Sequence, residues 1–344
     1  MKWIFLLSIV SYTNAYLFCN ESQHKYFERE REMFGLDSRE FPFEAHLSHY
    51  PTSCINDDGK IVEYPEFTKY MFETMQYDVN PSVSIGVSNY IYTAVEWSTN
   101  VLWRAAGWRH TTYNGEHYRY YENVESNENV VFFHGLNAMN GIENMYLLKQ
   151  FTRNASVYVS LYEPTFVFEK RNSDYTHTFA QHVNNVAEFI STFDPATLTL
   201  VGNSYGTIRM AGLCKSVGCD LMQRVIMTDP LSINLPFSNA YKMIAFGVYV
   251  KGNHYPEYKN RSVVRTIRID KHYKHALTNL DWYQWTIDSR FMEKHKHNLV
   301  LVIGDRDYGI TVNKTSLAMT QTCKVVYIDA KHGGCLFGNV QDWI

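Results

Sequence analysis

Short apolar runs alternate with longer amphipathic segments from residue 108 to the end of the chain. Runs that are apolar at nearly every position are typical of strands in a parallel sheet that helices cover on both faces. They predict strands at 129–134, 157–162, 198–202, 224–229, 299–304 and 324–329. The segments between them predict helices at 141–153, 176–194, 205–217 and 311–321, and a short helix at the C-terminus. The pattern therefore indicates the α/β class with a mostly parallel central sheet.

A hairpin is predicted in front of these strands. Asn114-Gly115 separates two runs rich in Thr and Tyr, and this dipeptide is the strongest short signal for a two-residue β-turn. The hairpin would add two antiparallel strands to the sheet. No internal repeat and no Gly/Ser-rich linker divides the sequence after Trp108, so we expect one main domain over 108–344.

Two regions depart from this alternation. The stretch 231–297 is too long for one crossover and rich in Tyr, His and Trp, so it is predicted to form a helical cap above the sheet. Residues 16–107 show no regular alternation and are predicted to be an N-terminal extension. Bulky apolar residues within 83–108 favour a helix packed on the main domain, and contact of this helix with a membrane surface is the alternative.

The first fifteen residues have the features of a cleaved signal peptide: one Lys, a short apolar run and a polar stretch that ends in Ala15. The apolar run is shorter than the roughly 20 residues that span a bilayer. We therefore expect cleavage after Ala15 and a protein that is secreted or lies in the lumen of the secretory pathway.

The cysteines and sequons bear on the same expectation. The chain has six cysteines, which an oxidising compartment would pair, and the shortest loops would join Cys19 to Cys54 and Cys214 to Cys219. Glycosylation sequons, in about the number that chance alone would supply, begin at Asn20, Asn154, Asn260 and Asn313.

Composition narrows the class of partner. The 344 residues are 45% hydrophobic and 19% charged, so the chain can bury a large core and is not disordered. The net charge is −3 with scattered charges, which argues against a nucleic-acid partner. The aromatic content of 15% and the 12 Met suit an apolar ligand, but a dense core explains them equally well.

A Ser lies where a nucleophile elbow would place it. After the strand 198–202, Gly202-Asn203-Ser204-Tyr205-Gly206 leads into a helical segment. The chemistry needs flanking glycines because the turn is tight and strained, and the helix N-terminus favours the negative charge that develops. Ser204 is therefore the predicted nucleophile, and a simple helix cap is the alternative.

The proton acceptor and its partner should follow on later strands. A Ser hydroxyl attacks poorly unless an imidazole removes its proton, and His332 lies in a loop after the last predicted strand. The carboxylate that orients this imidazole is predicted to be Asp307, in the Gly304-x-x-Asp307 spacing. Asp229, after the preceding strand, and Asp305 stay as alternative acids. The chain order Ser, Asp, His is satisfied by Asp307 and by Asp229, since both lie between Ser204 and His332.

Acyl transfer also needs two donors for the oxyanion. The predicted donors are the backbone N–H groups of Tyr205 and Leu136, the latter after His134-Gly135 at the end of a strand.

No metal site is predicted, because no HExxH pattern occurs and the remaining histidines lie among lysines. We expect solvated side chains at His272, His275, His295 and His297.

Together, the hairpin, the His-Gly loop, the GxSxG elbow, the GxxD spacing and the terminal His-Gly resemble the α/β-hydrolase superfamily over residues 108–344. "GNSYGT", "TDPLSINLPFSNAY" and "LDWYQW" are similar to a branch of that superfamily from fungi, algae and protists whose elbow reads His-Ser-Tyr-Gly-Thr. Asn203 stands where that elbow has His, and 12 residues follow His332.

The resemblance implies a serine hydrolase that cleaves a carboxylic ester or thioester through an acyl-enzyme on Ser204 and needs no cofactor. The expected substrate is a small-molecule or lipid acyl compound. The alternative is a non-catalytic protein of the same fold that binds a lipid or a protein partner. Geometry separates the two, because a hydrolase requires Ser204 Oγ near His332 with one carboxylate behind the ring.

Overall fold

The computed structural model describes residues 53–55, 61–63, 94, 97–135, 142–162, 179–233, 287, 289–307 and 323–343. The predicted signal peptide and the predicted helix at 311–321 lie outside the described residues, as do most of the N-terminal extension and most of the cap. No helix in the described ranges is both long and apolar enough to cross a membrane.

An eight-stranded sheet organises the described residues of the main domain. Ahead of it in the chain, β1 (Ser53–Ile55) pairs with β2 (Ile61–Glu63) in a separate antiparallel ribbon, which the sequence did not predict because three-residue runs show no periodicity. The strands of the large sheet are β3 (Arg109–Tyr113), β4 (Glu116–Tyr121), β5 (Asn129–Phe133), β6 (Ser156–Leu161), β7 (Leu198–Asn203), β8 (Arg224–Thr228), β9 (Leu299–Gly304) and β10 (Lys324–Ile328).

The strand order is β10-β9-β8-β7-β5-β6-β4-β3. Every neighbouring pair from β6 to β10 is parallel, and only the pairs that involve β4 are antiparallel. This confirms the predicted α/β class and places each predicted strand within one residue of its observed bounds. The hairpin is also confirmed: Asn114 (φ 48°) and Gly115 (φ 79°) both have positive φ, as a type I′ turn requires.

The helices lie on both faces of the sheet. Their bounds are α1 (Met145–Phe151), α2 (Phe179–Ile190), α3 (Tyr205–Val217) and α4 (Ser289–Lys294). The prediction of a short C-terminal helix is wrong: two 3-10 turns, Gly334–Phe337 and Val340–Asp342, stand there instead. Gly338 and the Asn339 side chain, which accepts a bond from the Gln341 N–H, end one turn and start the next, so no α-helix continues.

Side chains that alternate along each strand form two separate cores. On β5, Val131 and Phe133 pack with α2 and α3, whereas Val130 and Phe132 pack with α1 and the C-terminal turns. Because a strand points successive side chains to opposite faces, a strand buried on both faces is apolar at every position. This is the physical reason for the continuous apolar runs in the sequence.

Residues 97–105 are helical and contact the second core. Trp103 is fully buried, meets the edge of Trp108 at 4.9 Å between ring centroids, and lies under the Arg119 guanidinium at 5.5 Å. The helix is therefore packed on the main domain. Trp97 and Leu102 are exposed, and contact of this segment with a membrane stays a prediction.

The cysteines and one histidine differ in part from expectation. Cys214 and Cys219 form the predicted disulfide, and Cys19 lies outside the described residues. Cys323 and Cys335 carry free thiols, so pairing of all six cysteines is not observed.

The prediction of a solvated His295 is wrong, because the end of α4 buries the ring against Phe291 at 4.4 Å between centroids.

Candidate active site

The candidate site lies at the carboxyl ends of the parallel strands. The chain passes from β5 to β6 on one side and then crosses back to β7 on the other side of β5. In an open α/β sheet, the crevice beside such a reversal of strand order is where ligands bind. The residues that follow β5, β7, β8, β9 and β10 meet there.

Ser204 forms a sharp turn between β7 and α3. Its φ of 51° and ψ of −119° are strained for a residue with a side chain, and its N–H donates to the Thr228 carbonyl at 3.0 Å. Gly206 permits the turn, since a Cβ there would lie 2.0 Å from the Phe133 carbonyl oxygen. A Cβ at Gly202 would lie 3.2 Å from the Gly206 carbonyl oxygen. Close packing of α3 on β5 and β7 therefore explains both glycines.

The structure brings Ser204, His332 and Asp307 together. Ser204 Oγ lies 2.8 Å from His332 Nε2, and His332 Nδ1 lies 2.7 Å from Asp307 Oδ2. The carboxylate accepts a hydrogen bond from the Nδ1–H group, so Nε2 is left to accept the proton of the Ser204 hydroxyl. The Asp307 side chain is fully buried, whereas 22% of the His332 side chain is exposed.

The electrostatic surroundings favour a charged imidazole. Burial by itself lowers the pKa of His332, but the hydrogen bond that His332 donates to Asp307 and the charges of Asp307 and Asp229 outweigh it, so the pKa is raised. An imidazole that gains a proton from Ser204 would be stabilised by the same carboxylates.

The two alternative acids lie in other positions. Asp305 is directed away from the imidazole: its Oδ1 accepts the Ala330 N–H at 3.2 Å and lies 3.8 Å from the Arg306 Nε. Asp229 is close to His332 but binds the backbone beside it, because its Oδ2 accepts the Gly333 N–H at 2.8 Å. Asp307 is therefore the carboxylate bonded to the ring.

One of the two predicted oxyanion-hole donors lies within the described residues. Tyr205 is the first residue of α3, so its N–H lies at the positive end of the helix dipole. Leu136 lies outside the described residues. Gly135 passes close to the nucleophile, because a Cβ there would lie 3.1 Å from Ser204 Cβ. The sequence therefore places a Gly where the backbone approaches Ser204.

His134 holds the start of this loop in place. The ring is fully buried, its Nε2 accepts the Tyr162 N–H at 3.2 Å, and its Nδ1 lies 2.9 Å from the Gly135 carbonyl oxygen. Burial, together with the charge of Arg209, lowers the pKa of His134 to about 3. The ring is therefore neutral and joins the ends of β5 and β6.

Sequence reasoning missed two polar features near the site. Asn203 donates from Nδ2 to Thr228 Oγ1 at 3.0 Å and joins β7 to β8. The second is a fully buried cluster of Glu116, His182 and Arg209, on β4, α2 and α3. A charged residue inside an otherwise apolar stretch is a signal that could have pointed to each of these residues. Their spacing along the chain gives no indication that the three side chains meet.

The strand order, the strained Ser after β7 and the His-Gly loop after β5 define the α/β-hydrolase fold in the described residues. The assignment follows from the path of this chain itself.

No protein-family model and no curated protein matches the chain, but solved structures do. One is a membrane phospholipase A described as a bacterial virulence factor (TM-score 0.48, 16% identity, covering 73% of this chain and 88% of that one). Another is the enol-lactonase from Burkholderia xenovorans LB400 (TM-score 0.46, 15% identity, 66% of this chain and 94% of that one). A third is Est816, an N-acyl homoserine lactone degrading enzyme (TM-score 0.44, 17% identity, 68% and 97%).

Proposed function

We propose that the protein is a serine hydrolase that cleaves a carboxylic ester or thioester. The observation that carries this proposal is the continuous relay from Ser204 Oγ through His332 to Asp307, with donor–acceptor distances of 2.8 and 2.7 Å. It lies at the edge of the sheet where ligands enter such folds. A misdirected His332 would have favoured the non-catalytic alternative, and the observed contact does not.

The first half of the reaction forms the acyl-enzyme. Ser204 Oγ attacks the acyl carbon as its proton passes to His332 Nε2, and Asp307 stabilises the resulting imidazolium. The N–H groups of Tyr205 and Leu136 are proposed to bind the oxygen that becomes negative. When the tetrahedral intermediate collapses, the bond to the leaving alcohol or thiol breaks, and the leaving group takes the proton from Nε2.

The second half regenerates the enzyme. A water gives a proton to Nε2 and attacks the acyl carbon, and a second tetrahedral intermediate breaks the bond to Ser204 Oγ. The proton on Nε2 returns to Oγ and the carboxylic acid leaves. Each proton that enters the imidazole leaves it again, so the cycle balances with Ser204, His332 and water alone.

A fluorophosphonate probe tests the proposal directly, since only an activated Ser reacts readily with it. We expect wild type to be labelled and Ser204→Ala to lose labelling. Ser191→Ala is the matched control, because Ser191 is exposed and its hydroxyl donates to the Glu188 carbonyl oxygen instead of a histidine. Labelling retained in Ser204→Ala, or its absence in folded wild type, would reject the proposal. A panel of nitrophenyl esters and acyl thioesters of increasing chain length would then define the substrate.

A further inference from the structure

A second carboxylate lies beside the proposed relay. Asp229 directly follows β8, is fully buried, and has a φ of 45°, in the left-handed region that non-glycine residues rarely adopt. Its N–H donates to the Val302 carbonyl at 2.9 Å, so the strained residue is held against β9. Strained backbone of this kind persists only where the surroundings impose it, and it clusters at functional sites.

Both oxygens of this carboxylate contact the loop that carries His332. Oδ2 accepts the Gly333 N–H at 2.8 Å, and Gly333 directly follows His332. Oδ1 accepts the Cys335 thiol at 3.0 Å, and that thiol also lies 3.6 Å from the Val302 carbonyl oxygen. The carboxylate thus binds the chain one and three residues after His332.

The protonation states agree with this arrangement. Burial raises the pKa of Cys335, and the nearby Asp229 raises it further, so the thiol keeps its proton and donates. Burial, with a smaller contribution from the charge of Asp307, raises the pKa of Asp229, and the hydrogen bonds from Cys335 and Gly333 and the charge of His332 reduce that rise without cancelling it. A carboxylate with a donor on each oxygen is satisfied in its ionised form.

Two carboxylates therefore converge on one imidazole. One carboxylate oxygen of Asp229, one carboxylate oxygen of Asp307 and one ring nitrogen of His332 all lie within 4.8 Å of one another. Asp307 bonds to the ring, and Asp229 bonds to the backbone beside it. Within the part of the chain that the structure describes, the groups that face His332 include Ser204 from the elbow, Asp307 from the loop after β9, Asp229 from the end of β8, and the Cys335 thiol behind Asp229.

We propose that Asp229 is a positioning residue of the relay: its ionised carboxylate holds the His332 loop in place and supplies a second negative charge for the imidazolium. This inference rests on the proposed serine hydrolase function. The proposed role of Asp229 differs from that of a purely structural turn contact. Any neutral acceptor would satisfy the Gly333 N–H, whereas the proposed role requires the negative charge.

Asp229→Asn separates these two roles. Asn keeps an acceptor oxygen for the Gly333 N–H and tolerates positive φ better than most residues, so the fold should persist. It removes the charge and turns its amide N–H toward the Cys335 sulfur, a weak acceptor, in place of the second oxygen. We expect kcat for a nitrophenyl ester to fall on the order of 10-fold with little change in KM, and the acid limb of the pH–rate profile to move down by about one pH unit. Asp305→Asn, which removes a carboxylate that binds the Ala330 N–H and not the imidazole, is the control and should stay near wild type.

A titration of His332 by NMR gives a readout that does not need turnover. In the Ser204→Ala background, Asp229→Asn should lower the pKa of the imidazole relative to the same protein with Asp229 intact. If both the acid limb and this pKa match those of the parent proteins, Asp229 has only a structural role and the inference is wrong. If Ser204→Ala leaves probe labelling intact, the hydrolase proposal fails instead, and the NMR titration still decides whether Asp229 acts on His332.

Discussion

Among the described residues, two carboxylate–imidazole pairs have almost the same local geometry. Asp307 Oδ2 is 2.7 Å from His332 Nδ1, and Glu116 Oε2 is 2.6 Å from His182 Nδ1. They differ in what faces the other ring nitrogen. His332 Nε2 meets the Ser204 hydroxyl, whereas His182 Nε2 accepts the Arg209 Nε–H at 3.0 Å.

The second pair belongs to a buried polar network in the core. The side chains of Glu116 and His182 are 1% exposed, and Arg209 is fully buried. Arg209 also donates to Ser160 Oγ at 2.5 Å and lies over the rings of Phe133 and Tyr162. A neutral imidazole with both nitrogens engaged links a carboxylate to a guanidinium here, so it offers no base to a substrate.

The difference shows that a carboxylate behind a histidine does not by itself make a catalytic base. Whether the histidine can act as a base depends on the partner of Nε2 and on whether a substrate can reach that partner. A hydroxyl at the edge of the sheet gives a nucleophile, and a buried cation gives a structural ion pair. Substitutions in the two pairs should therefore have opposite effects on activity and on stability.

His332→Ala and His182→Ala test the comparison most strongly. We expect His332→Ala to lower the rate of ester hydrolysis on the order of 10⁴–10⁶-fold, because the base is removed, and to lower the urea midpoint less than His182→Ala does. His182→Ala should instead lower the urea midpoint, because Glu116 and Arg209 lose the ring that joins them. Loss of activity in a stable His182→Ala protein would contradict the assignment of the two pairs.

Asp307→Asn should have the next largest effect. Asn in place of the carboxylate lets the ring adopt the wrong tautomer, and the corresponding change in a serine protease costs about 10⁴-fold in kcat. The measurement is kcat for the same ester. Asp305→Asn is the matched control two residues away and should retain activity, since Asp305 binds the Ala330 N–H instead of the ring.

Arg209→Met sharpens the comparison from the structural side. Removing one member of a buried ion network leaves a charge uncompensated, and we expect a loss of about 3–5 kcal/mol in the free energy of unfolding. The double variant Glu116→Gln, Arg209→Met removes both charges and should recover a large part of this loss. Urea denaturation of both proteins measures it, and equal stabilities would show that the charge of Glu116 is not balanced by Arg209.

The smallest expected effect is a dependence on pH. Hydrolysis requires neutral His332, so kcat/KM should rise with pH through a midpoint above 6.5, because the carboxylates raise the pKa of His332. The stability contribution has the opposite sign. A pKa raised by folding adds stability that is complete below 6.5 and is lost as the pH rises through the raised value. Urea midpoints of wild type and His332→Ala, compared across that window, measure it, and parallel curves would contradict the raised pKa.

Much of the fold was predictable because burial leaves a local signature. A parallel strand covered on both faces must be apolar along its whole length, and the runs at 129–134 and 299–304 match β5 and β9 for that reason. The elbow was visible because Gly206 is required by a contact with the Phe133 carbonyl oxygen. The C-terminal turns were predicted wrongly, because neither Gly338 nor the Asn339 cap changes the apolar periodicity that suggested a helix.

The candidate acids show the limit of sequence reasoning. Asp229, Asp305 and Asp307 all follow strands of the same sheet, and the order of residues along the chain allows each to precede His332. Only the path of each loop decides which carboxylate reaches Nδ1 and which reaches the Gly333 N–H. The same holds for Glu116, His182 and Arg209, which are separated by 66 and 27 residues and meet only when α2 and α3 pack on the sheet.

The sequence by itself determined the α/β class, the main strands, the hairpin and the elbow around Ser204, because each depends on contacts between residues near one another or on burial of a continuous run. The tertiary structure alone decided that Asp307 bonds to the ring, that Asp229 holds the backbone beside it, and that His182 is paired with Arg209. Hydrogen bonds between distant strands and helices depend on positions to within a fraction of an ångström, and no pattern along one chain encodes those distances.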